Sequence, residues 1–156
     1  MTAAALIANA RRKGARIATA ESCTGGLVAA AITDVPGASD VFEAGFVTYS
    51  LPAKVAMLGV RAETLARVGA VSQEVAREMA EGALARSAAT LAVAITGIAG
   101  PGGAEGKPEG RVCFALAQKG RTTQALTVEF GVIGRSAVRA AATAEALRLL
   151  QEALDT

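Results

Sequence analysis

The chain alternates between two hydrophobic rhythms, one helical and one extended. Residues 3–13 read as a helix ended by Gly14, and Arg16-Ile17-Ala18-Thr19-Ala20 as a short strand. The turn Glu21-Ser22-Cys23-Thr24-Gly25-Gly26 opens a helix running to about Thr33, which Asp34-Val35-Pro36-Gly37 breaks. Phe42 to Tyr49 reads as a strand. Ser50 then caps a helix with Pro52 in its first turn, ending near Gly59. A short helix around Glu63–Val68 stops at Gly69. Ser72 caps a longer one to about Ser87, with Val75, Met79 and Ala83 in its apolar stripe. Leu91-Ala92-Val93-Ala94-Ile95 is an unbroken apolar run, the pattern of a strand covered on both faces. Thr96 to Gly110 is a Gly/Pro-rich loop. Arg111–Gln118 and Thr122–Phe130 form a hairpin about Lys119-Gly120-Arg121, and Ser136–Leu154 is the closing helix. Strands alternating with helices and finishing in a hairpin predict an α/β fold, a three-layer α/β/α sandwich around a mixed, mostly parallel sheet. No repeat or linker divides the 156 residues, so one domain is expected over 1–156.

Composition narrows the functions. Apolar residues make up 52%, much of it alanine, which favours close helix–sheet contact. Aromatics are 3% and net charge is +2, so neither a base-stacking platform nor an electrostatic footprint for nucleic acid is present. The one basic run, Arg11-Arg12-Lys13, sits at a helix end where cations complement the macrodipole. No signal peptide and no run long enough to span a bilayer is visible, so a cytoplasmic protein without membrane contact is expected. Cys23 and Cys113 make neither a disulfide framework nor metal-ligand spacing. Histidine is absent, which excludes Ser-His-Asp triads, Cys-His pairs and histidine metal sites.

Three segments can carry chemistry. The first is the strand-to-helix turn at Glu21–Gly26. It lifts a side chain to the sheet edge, and the backbone N–H groups of Thr24, Gly25 and Gly26 can hold a phosphate or an oxyanion. A capped helix start would look the same. Either Ser22 or Cys23 can be the nucleophile. Cys23 lacks a partner to lower its pKa, whereas Ser22 needs a strong base. Among the four lysines, Lys13 and Lys119 flank glycines at element ends, while Lys54 stands one turn into a helix among Pro52, Ala53, Val55 and Ala56. A free lysine has a pKa of ~10.4, and a base working near neutrality needs ~7–8, a shift worth ~4 kcal/mol that burial can supply. Tyr49, the only tyrosine, can relay a proton from a strand end. The second segment is the glycine loop at Thr96, Gly97 and Gly100, which lacks the Gly-Lys-Ser/Thr of a nucleoside-triphosphate loop. The third is the start of the last helix. There Arg135 and Arg139, one turn apart, oppose the dipole unless an anion lies between them. A solvated face is the plain alternative. No metal-ligand cluster stands out, and no metal or cofactor is expected.

With these residues in view, the chain resembles the CinA C-terminal domain family. The matching motifs are Thr19-Ala20-Glu21-Ser22-Cys23-Thr24-Gly25-Gly26, Gly45-Phe46-Val47-Thr48-Tyr49-Ser50 with Lys54 following, and Gly69-Ala70-Val71-Ser72. Thr96-Gly97-Ile98-Ala99-Gly100-Pro101 and Lys107-Pro108-Glu109-Gly110 complete the set, in order and over nearly the whole chain. The resemblance implies a metal-free serine amidase that converts nicotinamide mononucleotide to nicotinic acid mononucleotide and ammonia. It implies Ser22 as nucleophile, Tyr49 and Lys54 assisting, and Thr24, Gly25, Gly26, Thr96, Gly97, Gly100 and Arg135 binding the nucleotide. It further implies a homodimer. Longer members carry an additional N-terminal domain linked to pyrophosphatase chemistry, absent from this sequence. Where the family often has an acidic residue before the arginine of the last helix, this chain reads Ile133-Gly134-Arg135. The competing expectations are a nucleotide-binding module without catalysis, linked to competence or DNA-damage responses, and a structural partner subunit.

Overall fold

A computed structural model describes residues 2–156. Five strands make one sheet: β1 (Ile17–Glu21), β2 (Phe42–Val47), β3 (Leu91–Gly97), β4 (Arg111–Gln118) and β5 (Gln124–Glu129). The helices are α1 (Ala3–Arg12), α2 (Leu27–Thr33), α3 (Leu51–Leu58), α4 (Ala62–Val68), α5 (Gln73–Ala85) and α6 (Arg135–Leu154), with a 3₁₀ turn at Ala38–Asp40. Strand order is β2-β1-β3-β4-β5. β1 pairs in parallel with both β2 and β3, and only β4 runs against the rest. The three-layer α/β sandwich with a mixed, mostly parallel sheet is therefore the architecture.

Element ends shift by a residue or two from the sequence reading, and three of the shifts have a visible cause. β2 stops at Val47 rather than Tyr49. The Thr48 N–H still bonds the Glu21 carbonyl at 2.9 Å, but the Thr48 carbonyl turns to the Lys54 amine at 2.7 Å and the chain leaves the sheet. β3 runs on to Gly97 because β4 continues to pair with it there, Gly97 opposite Val112. β5 begins at Gln124 rather than Thr122, where its ladder with Leu116 starts.

The two faces of the sheet are chemically unlike. Ile17, Leu91, Val93, Ile95, Val112 and Phe114 belong to one core with Leu6 and Ile7 of α1, Val28 and Ile32 of α2, and Val138 and Leu150 of α6. The alternate positions, Ala18, Ala20, Ala92, Ala94, Cys113, Ala115 and Ala117, belong to a second core with Val75, Ala76, Met79, Ala80 and Ala83 of α5. Strand periodicity of two sorts large residues to one side and small to the other. The small face admits α5 at close range, and Met79, fully buried, fills much of the remaining space. Truncating it to alanine would cost ~2–5 kcal/mol. On its outer side α5 packs against α3. A Cβ at Gly82 would collide with the Leu58 carbonyl.

Candidate active site

The nucleophile turn is built where strand pairing runs out. The Ser22 N–H donates to the Ile95 carbonyl at 3.0 Å, so Ser22 stands at the carboxyl edge between β1 and β3. From β1 the chain passes to β2 through α2. From β2 it returns to β3 through α3, α4 and α5, whose apolar residues pack in the other core. A crevice opens at such a switch point in an open α/β sheet.

Glu21 shapes the turn from below. Its fully buried carboxylate accepts from Thr24 Oγ1 at 2.6 Å and from the N–H groups of Gly26, Val28 and Ala29 at 3.2, 3.0 and 3.0 Å. An acidic group at a helix N-terminus satisfies orphan donors and complements the dipole. Arg139 of α6 holds the other side, donating to the carbonyls of Cys23 at 3.0 Å and Thr24 at 3.4 Å.

Lys54 reaches the turn from α3. Ser50 caps that helix by accepting from the Ala53 N–H at 3.2 Å, and Lys54 and Leu58, one turn apart, form its buried face. Lys54 is 1% exposed. Its Nζ lies 3.0 Å from Ser22 Oγ, 2.7 Å from the Thr48 carbonyl and 3.4 Å from the Tyr49 carbonyl. Burial pushes its pKa down from 10.5 to about 8, against smaller opposing contributions from Cys23 and Glu105. A neutral amine has two N–H bonds and one lone pair. The two carbonyls take the N–H bonds, which leaves the lone pair for the Ser22 hydroxyl proton. Cys23 is 6% exposed and burial pushes its thiol up to about 11, so it is a neutral thiol at physiological pH.

A cleft of about 500 Å³ opens above this pair. Ser22, Tyr49, Lys54, Thr96, Gly97, Gly100 and Arg135 all line it, together with Ala70, Val71 and residues 98–105. Tyr49 is 61% exposed at the mouth, and its hydroxyl accepts from Arg135 Nη2 at 3.0 Å. The other Arg135 nitrogen donates to the Gly100 carbonyl at 2.7 Å. Thr96 Oγ1 donates to the Ala70 carbonyl at 2.9 Å.

Two expectations need correction. Thr24, Gly25 and Gly26 do not line the cleft. Thr24 is fully buried on Glu21, the Gly25 N–H bonds the Ser22 carbonyl at 3.0 Å, and the Gly26 N–H is taken by Glu21. Among the described residues, the N–H groups bordering the cleft with no acceptor include those of Cys23, Ala99, Gly100 and Gly103, as well as those of Tyr49, Ser50, Leu51, Glu105 and Arg135. Nor do Arg135 and Arg139 bracket an anion, because Arg139 is committed to the nucleophile turn. The roles of Glu21 and Arg139 were not read from the sequence. An acid just before a helix start is a local signal that could have revealed Glu21, whereas nothing local ties Arg139 to a carbonyl more than a hundred residues away. Among the described residues, no three His, Cys, Asp or Glu side chains gather as a metal site, and no helix is long and apolar enough to cross a membrane.

Several known proteins resemble this chain in sequence and fold. The family model described as the CinA C-terminal domain matches residues 1–154. The nicotinamide-nucleotide amidohydrolase PncC of Escherichia coli K12 is 55% identical over 90% of this chain and 85% of that protein. A CinA-like protein of Chlorobium phaeobacteroides is 62% identical over 68% of this chain but only 26% of its own length. The chain thus spans about a quarter of that longer relative. The crystal structure of the competence/damage inducible protein CihA from Agrobacterium tumefaciens superposes with a TM-score of 0.94 at 46% identity, over 99% of this chain and 93% of that one. A CinA superfamily protein from Escherichia coli gives 0.91 at 39% identity, over 96% and 86%.

Proposed function

The chain belongs to the CinA C-terminal domain family, and on that premise we propose that it hydrolyses the carboxamide of nicotinamide mononucleotide to nicotinic acid mononucleotide and ammonia. The observation that carries the reading is the buried Lys54 amine 3.0 Å from Ser22 Oγ, its other two directions filled by carbonyls. Ser22 Oγ attacks the amide carbon while Lys54 takes its proton. The oxyanion of the tetrahedral intermediate faces the unpaired N–H groups of Cys23 and the Ala99–Gly103 loop. Collapse breaks the C–N bond. The departing nitrogen leaves as ammonia with a proton given directly by the Lys54 ammonium, or by the Tyr49 hydroxyl, which the Lys54 ammonium then reprotonates through cleft water. Water then attacks the acyl-serine as Lys54 takes its proton; Lys54 returns that proton to Ser22 Oγ as the acyl C–O bond breaks, and the product acid ionises to the carboxylate.

Arg135 and the glycine loop, which line the same cleft as Ser22, are the proposed contacts of the substrate phosphate. The homodimer and cytoplasmic location implied by the family belong to the same proposal. A nucleotide-binding module would have no use for a desolvated lysine pressed against a serine.

The test is ammonia and nicotinic acid mononucleotide production from nicotinamide mononucleotide by chelator-treated protein. Full activity is expected without added metal, and nicotinamide riboside should be a much poorer substrate. Binding without turnover would favour the module reading. Activity lost to EDTA and regained with a divalent ion would overturn the metal-free mechanism.

A further inference from the structure

The wall of the cleft is held almost entirely by charged side chains. Between β3 and β4, Ile98 and Ala99 are buried, but Pro101 to Gly106 are exposed. Apolar packing therefore does little to fix the part of the loop that faces the substrate. The Ala104–Lys107 turn closes with paired backbone bonds of 3.1 and 2.8 Å, and it presents two charged side chains to the segment joining α4 to α5. The Glu105 carboxylate accepts from the N–H groups of Ala70 at 2.9 Å and Val71 at 3.1 Å. Lys107 Nζ donates to the carbonyls of Val68 at 2.7 Å and Val71 at 2.6 Å, and to Glu105 at 3.3 Å.

The backbone at this contact is adapted to it. Glu105 has φ +56°, and among the described residues it is the one non-glycine with positive φ. A carboxylate side chain is kept where glycine would be easier, which marks a position over-determined by its partners. Opposite it, Gly69 has φ +80°, which a side chain would strain, and a Cβ there would push against Glu105 Oε1 at 2.6 Å and Lys107 Nζ at 3.0 Å.

We propose that Glu105 and Lys107 are positioning residues that latch the cleft wall onto the Val68–Val71 segment, with Glu105 the carboxylate facing the Ser22–Lys54 pair. Glu105 lines the same cleft as Lys54. Burial works against its charge, but the amides of Ala70 and Val71 and the Lys107 ammonium outweigh it and hold the carboxyl below its usual range. Its charge favours the ammonium form of Lys54, and the Lys107 ammonium, 3.3 Å from the Glu105 carboxylate, is placed to offset that charge. The two halves of the latch therefore act alike on the wall and oppositely on the base. This inference rests on Lys54 serving Ser22.

The experiment follows the rate at which Ser22 reacts with a fluorophosphonate probe against pH, in the wild type, Glu105→Gln and Lys107→Met. It also follows KM and kcat for nicotinamide mononucleotide. Neutral Lys54 is the reactive form, so the wild-type limb should rise near pH 8. Removing the carboxylate lowers the Lys54 pKa, and the Glu105→Gln limb should move to lower pH. Removing the nearby cation raises it, and the Lys107→Met limb should move higher. Both variants should raise KM about tenfold with kcat within about threefold. Glu105→Asp, which keeps the charge and shortens the reach, should raise KM and leave the limb in place. Limbs that coincide with the wild type, or that shift in the same direction in both variants, would overturn the latch. If one of these two variants fails to fold by circular dichroism, the other and Glu105→Asp decide. The labelling needs no amide substrate, so a wild type that labels but releases no ammonia sinks the proposed function and leaves the latch to be judged on its limbs.

Discussion

Arg135 donates to the Tyr49 hydroxyl oxygen over 3.0 Å, at the mouth of the cleft rather than beside Lys54. That bond fixes the phenol and leaves its own proton free to be given away. A phenol so oriented suits a donor to the departing nitrogen. Tyr49→Phe should lower kcat by about ten- to a hundredfold with little change in KM, since the ring and the Arg135–Gly100 contact survive. Steady-state kinetics with nicotinamide mononucleotide checks this. A rise in KM alone would assign Tyr49 to binding.

Lys54 links activity to stability through pH. With its pKa lowered from 10.5 to about 8 in the folded protein, the native state binds fewer protons than the unfolded state between those values. The cost to stability is therefore greatest below pH 8 and fades as pH rises toward 10.5. For a side chain 1% exposed it amounts to roughly 3 kcal/mol. Lys54→Met should abolish turnover yet unfold several degrees higher than the wild type at pH 7, and scanning calorimetry should show the difference shrinking as pH approaches 10.5. Lys54→Arg should be as inactive as Lys54→Met at neutral pH, because guanidinium cannot act as a base.

Ser22 and Cys23 are adjacent, but only one has the means to attack. Ser22→Ala should cost several orders of magnitude in kcat. Cys23→Ala should keep activity within a few-fold, with a small loss of packing. Because burial raises the thiol to about 11, iodoacetamide should alkylate native Cys23 only slowly at pH 8. Rapid alkylation that destroys activity would contradict this.

Glu21 is the support beneath the nucleophile. Glu21→Gln turns one acceptor into a donor facing an array of N–H groups, and should destabilise the protein by about 3 kcal/mol. Urea unfolding measures the loss, and kcat should fall with it as the Ser22 turn loosens.

Much of this site is legible in the sequence because strand-to-helix turns and caps are local. Ser22 follows β1, and Ser50 with Pro52 announces α3, so both reacting residues could be placed at element ends. The burial of Lys54 has another origin than its sequence neighbours suggest. Val55, beside it, is 39% exposed, and Lys54 is covered because it shares the inward face of α3 with Leu58. The oxyanion donors were sought at Thr24–Gly26 because helix starts offer free N–H groups. Glu21 claims donors of that turn instead, a role that its place just before the helix start signals locally. The register that lengthens β3 to Gly97 likewise depends on β4, which lies beyond a long loop.

The small-residue contact between α5 and α3 has a bearing on the reaction itself. Leu58 is one helical turn from Lys54, and its carbonyl rests where Gly82 has no side chain. Adding one methyl group at position 82 would shove α3 outward as a rigid rod, and the amine at its buried face would travel with it. A hydrogen bond of 3.0 Å tolerates only a few tenths of an ångström of such travel before proton transfer suffers. The reach of the base is thus gauged by an interhelix spacing outside the cleft, and a glycine that does not line the cleft acts as the shim that sets it.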